Sequence, residues 1–353
     1  MRKVALLAPL PPPYGGIAIW TQRMLNVQIP SDWKIVVVDE KVIGSRSVFG
    51  KNTKRSFFNE IRRCLSIWKR LISVLRDKET RIVHICIPAG LGSLTREIIS
   101  AILAKAYKKK VVVHFRCTLP NMIKGRLQLF VFKWLVRLCD EIFILNHKSA
   151  DFLEKQNLKI RFAIIPNFIN KTELNKYRIC SENINTVLYV GGVIATKGCD
   201  KIIETARMMP QIQFRLVGKV GLDAHNLPTN VSLLGEQNQE FVHEELLKAD
   251  LFLFLSRFGG EGFSNALAEA MASGLPCIVS DWAANADMVE NARGGCVLQN
   301  CSAKNICDAI NGLRKQEIRQ NYSNFNVQKV EAKYLSEKVV EQYFFHYENL
   351  LKT

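Results

Sequence analysis

Short runs rich in valine and isoleucine alternate with helix-length segments along this chain, and the alternation runs through twice. In the first half the runs fall at residues 4–8, 34–38, 82–87, 111–115, 141–145 and 162–165. In the second they fall at 186–190, 213–217, 231–234, 250–255 and 277–280. They are apolar almost throughout, as strands covered on both faces must be. Helical segments between such strands make βαβ units, which build parallel sheets with right-handed crossovers. The expectation is an α/β protein of two domains, residues 1–170 and 180–330, with a linker at 166–180. At 353 residues and 48% apolar, the chain has material for two cores. Residues 330–351 carry one long helical pattern through Tyr334, Val339, Tyr343, Phe344 and Tyr347.

The net charge of +17 is carried by one half. Residues 1–170 hold 30 Lys and Arg against 11 Asp and Glu, and the remainder holds 19 against 21. Such an asymmetry suits an anionic partner of the first half: nucleic acid, an acidic lipid surface or a phosphorylated substrate. A solvated basic face is the alternative. Within residues 59–76, Ile61, Cys64, Leu65, Trp68, Leu71, Ile72 and Leu75 recur at helical spacing. Arg62, Lys69 and Arg76 repeat on another face, widened by Arg63 and Arg70. Residues 124–137 place Lys124, Arg126, Lys133 and Arg137 among Leu127, Phe130, Phe132 and Trp134. Basic amphipathic helices with aromatics suit an anionic membrane surface; sheet-covering helices with basic outer faces would read the same way. No nucleic-acid module is present, so no nucleic-acid partner is expected. No run approaches about 20 apolar residues, and Met1, Arg2 and Lys3 lead straight into a strand-like stretch, so neither a membrane span nor a signal peptide is expected. Ten scattered cysteines without a Cys-x-x-Cys pair read as reduced thiols, with no metal site.

The most informative segment runs from Glu261 to Pro276. It follows the apolar run at 251–255 across a glycine-containing loop, and a helix begins near Ser264 or Asn265, both good N-cap residues. Gly274 and Pro276 stop it. A strand, a loop and a helix start at the carboxyl edge of a parallel sheet form a place where such sheets bind ligands, and the opening helical amides suit a diphosphate. Glu261 precedes the helix and Glu269 lies in its second turn. A carboxylate is a good acceptor for vicinal hydroxyls, so one could hold a ribose and the other a hexose; solvated surface glutamates are the alternative. Gly15 and Gly16, between the first strand and a helix starting near Ile17, permit close approach of backbone to a ligand or make an ordinary turn. His114 ends a strand and could equally be a hydrogen-bonded core residue.

Taken in order, these elements resemble the retaining glycosyltransferases of family 4. The proline-rich loop ending at Gly15 and Gly16 is similar to that family's first glycine loop, and the strand end at His114 to its histidine-bearing strand. Pro166 and Asn167 resemble the end of its first domain. Residues 190–198, with Gly191, Gly192, Lys197 and Gly198, resemble its Gly-Arg-x(3–4)-Lys-Gly motif, and Glu261 with Glu269 its Glu-x7-Glu signature. The resemblance covers essentially the whole chain. It implies the GT-B fold, two Rossmann-like domains facing a central cleft, with the terminal helix at 335–353 packing back on an acceptor-binding first domain and a second domain that binds the nucleotide sugar.

The resemblance also implies roles. Glu269 binds the donor ribose, Glu261 contacts the transferred sugar near its reacting carbon, and His114 lies beside that sugar. Lys197 neutralises the departing diphosphate, with Gly15, Gly16 and Gly192 in the substrate loops. Backbone amides of Gly262, Phe263, Ser264, Asn265, Ala266 and Leu267 line the phosphate site. A fixed cation with aligned amides is what developing charge on a leaving oxygen requires. No Asp-x-Asp motif is present, so no metal or cofactor is expected; the donor is a UDP- or GDP-sugar. The acceptor implied is a saccharide or a polyprenyl-diphosphate-linked saccharide of a bacterial surface polysaccharide such as O-antigen, capsule or lipopolysaccharide. The resemblance places the enzyme in the cytoplasm, at the inner face of the membrane. One departure is Gly192, where the family has an arginine; Arg257 is a candidate to replace that charge. Arg116, at a position often small or polar in relatives, is a candidate contact for an anionic acceptor. A nucleotide-sugar epimerase or hydrolase on the same fold, or a non-catalytic subunit of a membrane assembly, are the rival readings. A nicotinamide dehydrogenase would need a Gly-x-Gly-x-x-Gly after the first strand, which is missing.

Overall fold

A computed structural model describes residues 1–12, 15–40, 57–223 and 225–352. Pro13 and Tyr14 of the proline-glycine loop lie outside the described residues. The chain divides into two compact units, residues 1–167 with 337–353, and residues 168–336.

The strands of the first unit are β1 (Arg2–Ala8), β2 (Trp33–Asp39), β3 (Thr80–Ile87), β4 (Lys110–Phe115), β5 (Glu141–Ile144) and β6 (Arg161–Ile164). Helices α1 (Gly16–Asn26), α2 (Phe57–Leu75), α3 (Leu91–Ala106), α4 (Leu119–Met122), α5 (Arg126–Leu138) and α6 (His147–Lys155) connect them. The sheet order is β2-β1-β3-β4-β5-β6, parallel throughout, so all six carboxyl ends share one edge. Successive side chains point to opposite faces. Leu7, Ile85, Val113 and Ile142 join the core beneath α2, α3 and α5.

The opposite face carries His84 and Cys86 on β3, His114 on β4 and Phe143 on β5, with Cys86 paired to His114 and His114 to Phe143 in register. Trp20 of α1 and Tyr343 pack over them.

In the second unit the strands are β7 (Thr186–Val190), β8 (Gln213–Val217), β9 (Val231–Gly235), β10 (Leu251–Phe254), β11 (Cys277–Ser280) and β12 (Gly295–Leu298). The helices are α7 (Cys199–Met208), α8 (Gln239–Lys248), α9 (Asn265–Ala272), α10 (Asn285–Val289), α11 (Ala303–Gly312) and α12 (Gln316–Lys333). This sheet is also parallel, in the order β12-β11-β10-β7-β8-β9. The expected α/β class with two parallel sheets is what the chain forms.

Three local expectations need correction. The single helical pattern at 330–351 is interrupted. The chain unwinds after α12, Leu335 bridges Ile169, and the Ile169 amide donates to Tyr334 O at 2.8 Å before α13 (Ser336–Lys352) begins. From Glu337 onward α13 belongs to the first unit, where Glu348 accepts from Arg2 at 2.7 Å and from the Trp33 indole at 3.0 Å. Strand β12 is the second correction: it is a four-residue edge strand, half-exposed, whose Gly-Cys-Val-Leu sequence carries no Val- and Ile-rich run to mark it. The third concerns α2. Ile67, Leu71 and Leu75 are buried, whereas Ile61 and Leu65 are exposed, and Arg63 is not on an outer basic stripe. It is buried because its guanidinium reaches back to the Glu40 carbonyl just past β2, with Nε at 3.1 Å.

Candidate functional site

The second unit assembles its candidate site at the carboxyl ends of β7 and β10. After β10 the chain passes through residues 255–264 into α9. Ser264 is the N-cap, and its Oγ accepts from the Leu267 amide at 3.2 Å. That bond commits the Leu267 amide, and Leu267 itself is fully buried. The helix ends in a Schellman arrangement: the Leu275 amide donates to Ala270 O and the Gly274 amide to Met271 O. Gly274 sits at φ +72, where a side chain would also meet Ser323 and Arg178, so the glycine is required by conformation and by space.

The loop after β7 is held against this segment. Gly198 has φ +80, and a Cβ there would come within 2.6 Å of Leu255. The Arg257 amide donates to Thr196 O at 2.9 Å. The Tyr189 hydroxyl fixes the Gly192 carbonyl at 2.9 Å. These contacts bring Lys197, at the end of a single 3-10 turn, onto Glu261: Lys197 Nζ pairs with Glu261 Oε2. The same ammonium lies 5.1 Å from the Phe258 ring centre and 5.7 Å from that of Phe254. Both members of the pair are mostly buried, a setting in which an ion pair is less screened than at the surface.

Ser256, fully buried, places its Oγ 3.1 Å from Glu261 Oε2. Behind it the Ser280 hydroxyl donates to Ser256 O at 2.7 Å, and Asn285 Nδ2 to Ser280 O at 3.2 Å. Sequence reasoning passed over Ser256; its one signal is a hydroxyl at the end of an otherwise apolar run. Gly262 is buried and its carbonyl accepts from the Ala284 amide at 3.2 Å. Phe263 packs edge-on against Tyr334 at 5.2 Å. Asn265, Ala266 and Glu269 are half-buried on the first two turns of α9. The Arg257 guanidinium donates to Gln299 O at 3.0 Å, and Lys197 is a cation paired with Glu261.

The remaining candidates lie in the first unit. Gly15 caps α1 without a side-chain hydrogen bond, and a Cβ added at Gly15 or Gly16 would meet nothing within 4 Å. His114 is fully buried among Trp20, His84, Phe143 and Tyr343. Burial, then the Arg116 guanidinium, hold its pKa well below the ordinary histidine value. Burial likewise takes His84 down to about 3. His84, Cys86 and His114 bring potential ligand atoms within 4.8 Å of one another. His84 Nδ1 is shared with the Tyr347 hydroxyl, however, and Arg116 contacts the His114 ring at 3.2 Å, so a metal ion here would face a fixed guanidinium.

Residues 171–329 match the family described as Glycosyl transferases group 1, a stretch that contains Lys197, Glu261 and Glu269. Over that stretch, 159 of its 353 residues, the chain is similar to the group 1 glycosyl transferases. A relative among curated proteins is the N-acetyl-alpha-D-glucosaminyl L-malate synthase of Bacillus anthracis, 30% identical over 128 residues; the match takes in 36% of this chain and 32% of that enzyme's length. Among solved structures, the sucrose-phosphate synthase of Thermosynechococcus elongatus aligns over 100% of both chains with a TM-score of 0.78 at 15% identity. Anabaena HepE in complex with UDP aligns over 99% of this chain and 100% of its own, with a TM-score of 0.74 at 12% identity. The lipopolysaccharide outer core galactosyltransferase WaaB aligns over 99% of both, with a TM-score of 0.69 at 14% identity. At these identities the structural likeness establishes the shared GT-B fold.

Proposed function

We propose that this chain is a group 1 glycosyl transferase that moves a hexose-type sugar from a nucleoside diphosphate to a saccharide or lipid-linked saccharide, with retention of anomeric configuration. The observation that carries the reading is the Lys197–Glu261 pair set before the N-terminus of α9, with Glu269 on the same helix. A diphosphate entering there takes the ammonium from Glu261, and the freed carboxylate turns to the sugar hydroxyls. Lys197 and the α9 dipole then stabilise charge building on the leaving phosphate oxygen. Glu269 takes the ribose hydroxyls. Gly15 and Gly16 leave open space before α1 for a substrate, and neutral His114 is a fixed wall beneath that edge. No step in this scheme calls for a metal.

The acceptor side belongs to the basic first unit. Phe57, Phe58, Ile61 and Leu65 on α2, and Leu127, Phe130 and Trp134 on α5, are exposed large apolar side chains. They stand among Arg62, Lys69, Arg70, Arg126, Lys133 and Arg137. This combination favours peripheral contact with an anionic membrane surface, where a polyprenyl-linked acceptor of surface polysaccharide synthesis would be met. No described helix is long and apolar enough to cross a membrane.

A thermal-shift panel of UDP-, GDP- and ADP-sugars tests donor binding, because a ligand of the native state raises the melting temperature. Product stereochemistry by NMR tests retention; an inverted linkage would overturn it. Incubation with donor alone separates transfer from epimerisation or hydrolysis, since the transferase should turn over donor only slowly without an acceptor.

A further inference from the structure

Arg116 follows β4 at the carboxyl edge of the first sheet and is 94% buried, with 6% of its surface exposed. Its contacts are neutral. One guanidinium nitrogen donates to Asn167 Oδ1 at 2.5 Å, another meets the His114 ring at 3.2 Å, and the group lies 4.2 Å above the Trp20 ring. No described carboxylate forms an ion pair with it. Two other largely buried guanidiniums in this unit have acidic partners: Arg96 pairs with Glu40 and Glu97, and Arg63 with Glu60. A permanently charged group taken out of water without a counter-charge is costly, and a cation-π contact offsets only part of that cost. A second positive feature shares the edge. β1 and β4 flank β3, and α1 starts after β1 with no acid in its first turn and no side-chain cap. Trp20, the platform under Arg116, belongs to that same helix.

We propose that Arg116 is the anion-reading group of the acceptor site, taking a phosphate or carboxylate oxygen of the sugar-accepting substrate. The missing counter-charge is then supplied by the substrate itself. Asn167 and Trp20 hold the guanidinium plane so that its remaining N–H groups meet the anion with little loss of side-chain freedom. Arg116 thereby selects acidic acceptors over neutral ones of the same shape. This inference rests on the transfer reading, and its test separates the two.

Calorimetry with saturating UDP, which blocks the donor site, is run with glucose 1-phosphate, glucuronate and glucose as phosphate, carboxylate and neutral probes. Wild type should bind at least one acidic probe no less than tenfold more tightly than glucose, and the better probe names the anionic group. Arg116→Gln should erase that preference while the UDP Kd stays within twofold. Asn167→Asp installs a counter-ion beside the guanidinium. It should also erase the preference, with a melting temperature at or above that of wild type, which guards against loss of fold in the first variant. The proposal is overturned if wild type shows no anion preference, or if the preference survives in both variants. It is equally overturned if Arg116→Gln weakens UDP tenfold, because the guanidinium then serves the donor. If wild type fails to bind any nucleotide, the transfer reading falls on its own, and the acidic-against-neutral comparison, run without UDP, still scores Arg116.

Discussion

Ser256 and Lys197 converge on one oxygen of Glu261: the serine hydroxyl lies 3.1 Å from Oε2 and the ammonium pairs with the same atom. The serine is anchored through Ser280 to Asn285, so the carboxylate is held from behind by groups that can stay in place when Lys197 leaves for a phosphate. Ser256→Ala should therefore slow donor turnover about tenfold, roughly 1.4 kcal/mol of barrier, while the UDP Kd holds. Steady-state kinetics beside calorimetry read the split; an unchanged kcat would remove Ser256 from the positioning chain.

Lys197→Met removes the cation from the diphosphate. UDP affinity should fall about tenfold or more, consistent with roughly 1.5–3 kcal/mol for a hydrogen bond to a charged group. Glu269→Ala should also weaken UDP, whereas Glu261→Ala should chiefly lower kcat. Equal loss of UDP affinity in all three would contradict the division of roles.

Gly198 makes the two loops fit. Gly198→Ala puts a side chain at φ +80 and within 2.6 Å of Leu255. Left-handed backbone costs a non-glycine residue about 1–2 kcal/mol, and crowding adds about 1–3 kcal/mol. Urea unfolding should show a loss in that combined range, with weaker UDP binding because Thr196 and Lys197 are displaced together.

Glu40 and Glu97 are buried around Arg96, beside Arg63, Glu60 and Cys64. Burial first, then the neighbouring Glu97, raise the Glu40 pKa well above its usual range. The folded state thus keeps a proton that the unfolded chain releases above about pH 4.3. This group's contribution is full below that pH and is lost as pH rises toward the folded pKa. Glu40→Gln should flatten that decline and leave the protein at least as stable as wild type at pH 8, by urea midpoints across pH. A steeper decline in the variant would reverse the assignment.

The buried histidines act with the opposite sign. His84, taken down to about 3, and His114 stay neutral in the fold while the unfolded chain gains protons near pH 6.5. Their contribution is present above that pH and is lost as pH falls. Imidazole NMR shifts that remain those of the neutral ring down to pH 5, alongside falling stability, would confirm it; titration near 6.5 in the native protein would refute it.

Period and punctuation in the sequence determined a great deal here. Short Val- and Ile-rich runs between helix-length segments read as strands of a parallel sheet, and the helix from Asn265 to Ala272 was marked by Ser264 before it and Gly274 after it. Those are local rules, satisfied by neighbours in the chain. What escaped was set by partners far away in sequence. The helical pattern through Tyr334 is unbroken, yet the chain opens there because Ile169 offers a strand-like partner. Arg63 reads as a surface cation until the Glu40 carbonyl is seen to meet it, and Ser256 as a strand-end hydroxyl until Glu261 is seen to lie on it. Arg116 stands out in sequence as a candidate contact for an anion, but only the packed chain shows that the groups around it are neutral. The sequence sets what each segment prefers by itself; only the packed chain decides which polar groups must satisfy one another, because that depends on burial and on distances no local pattern encodes.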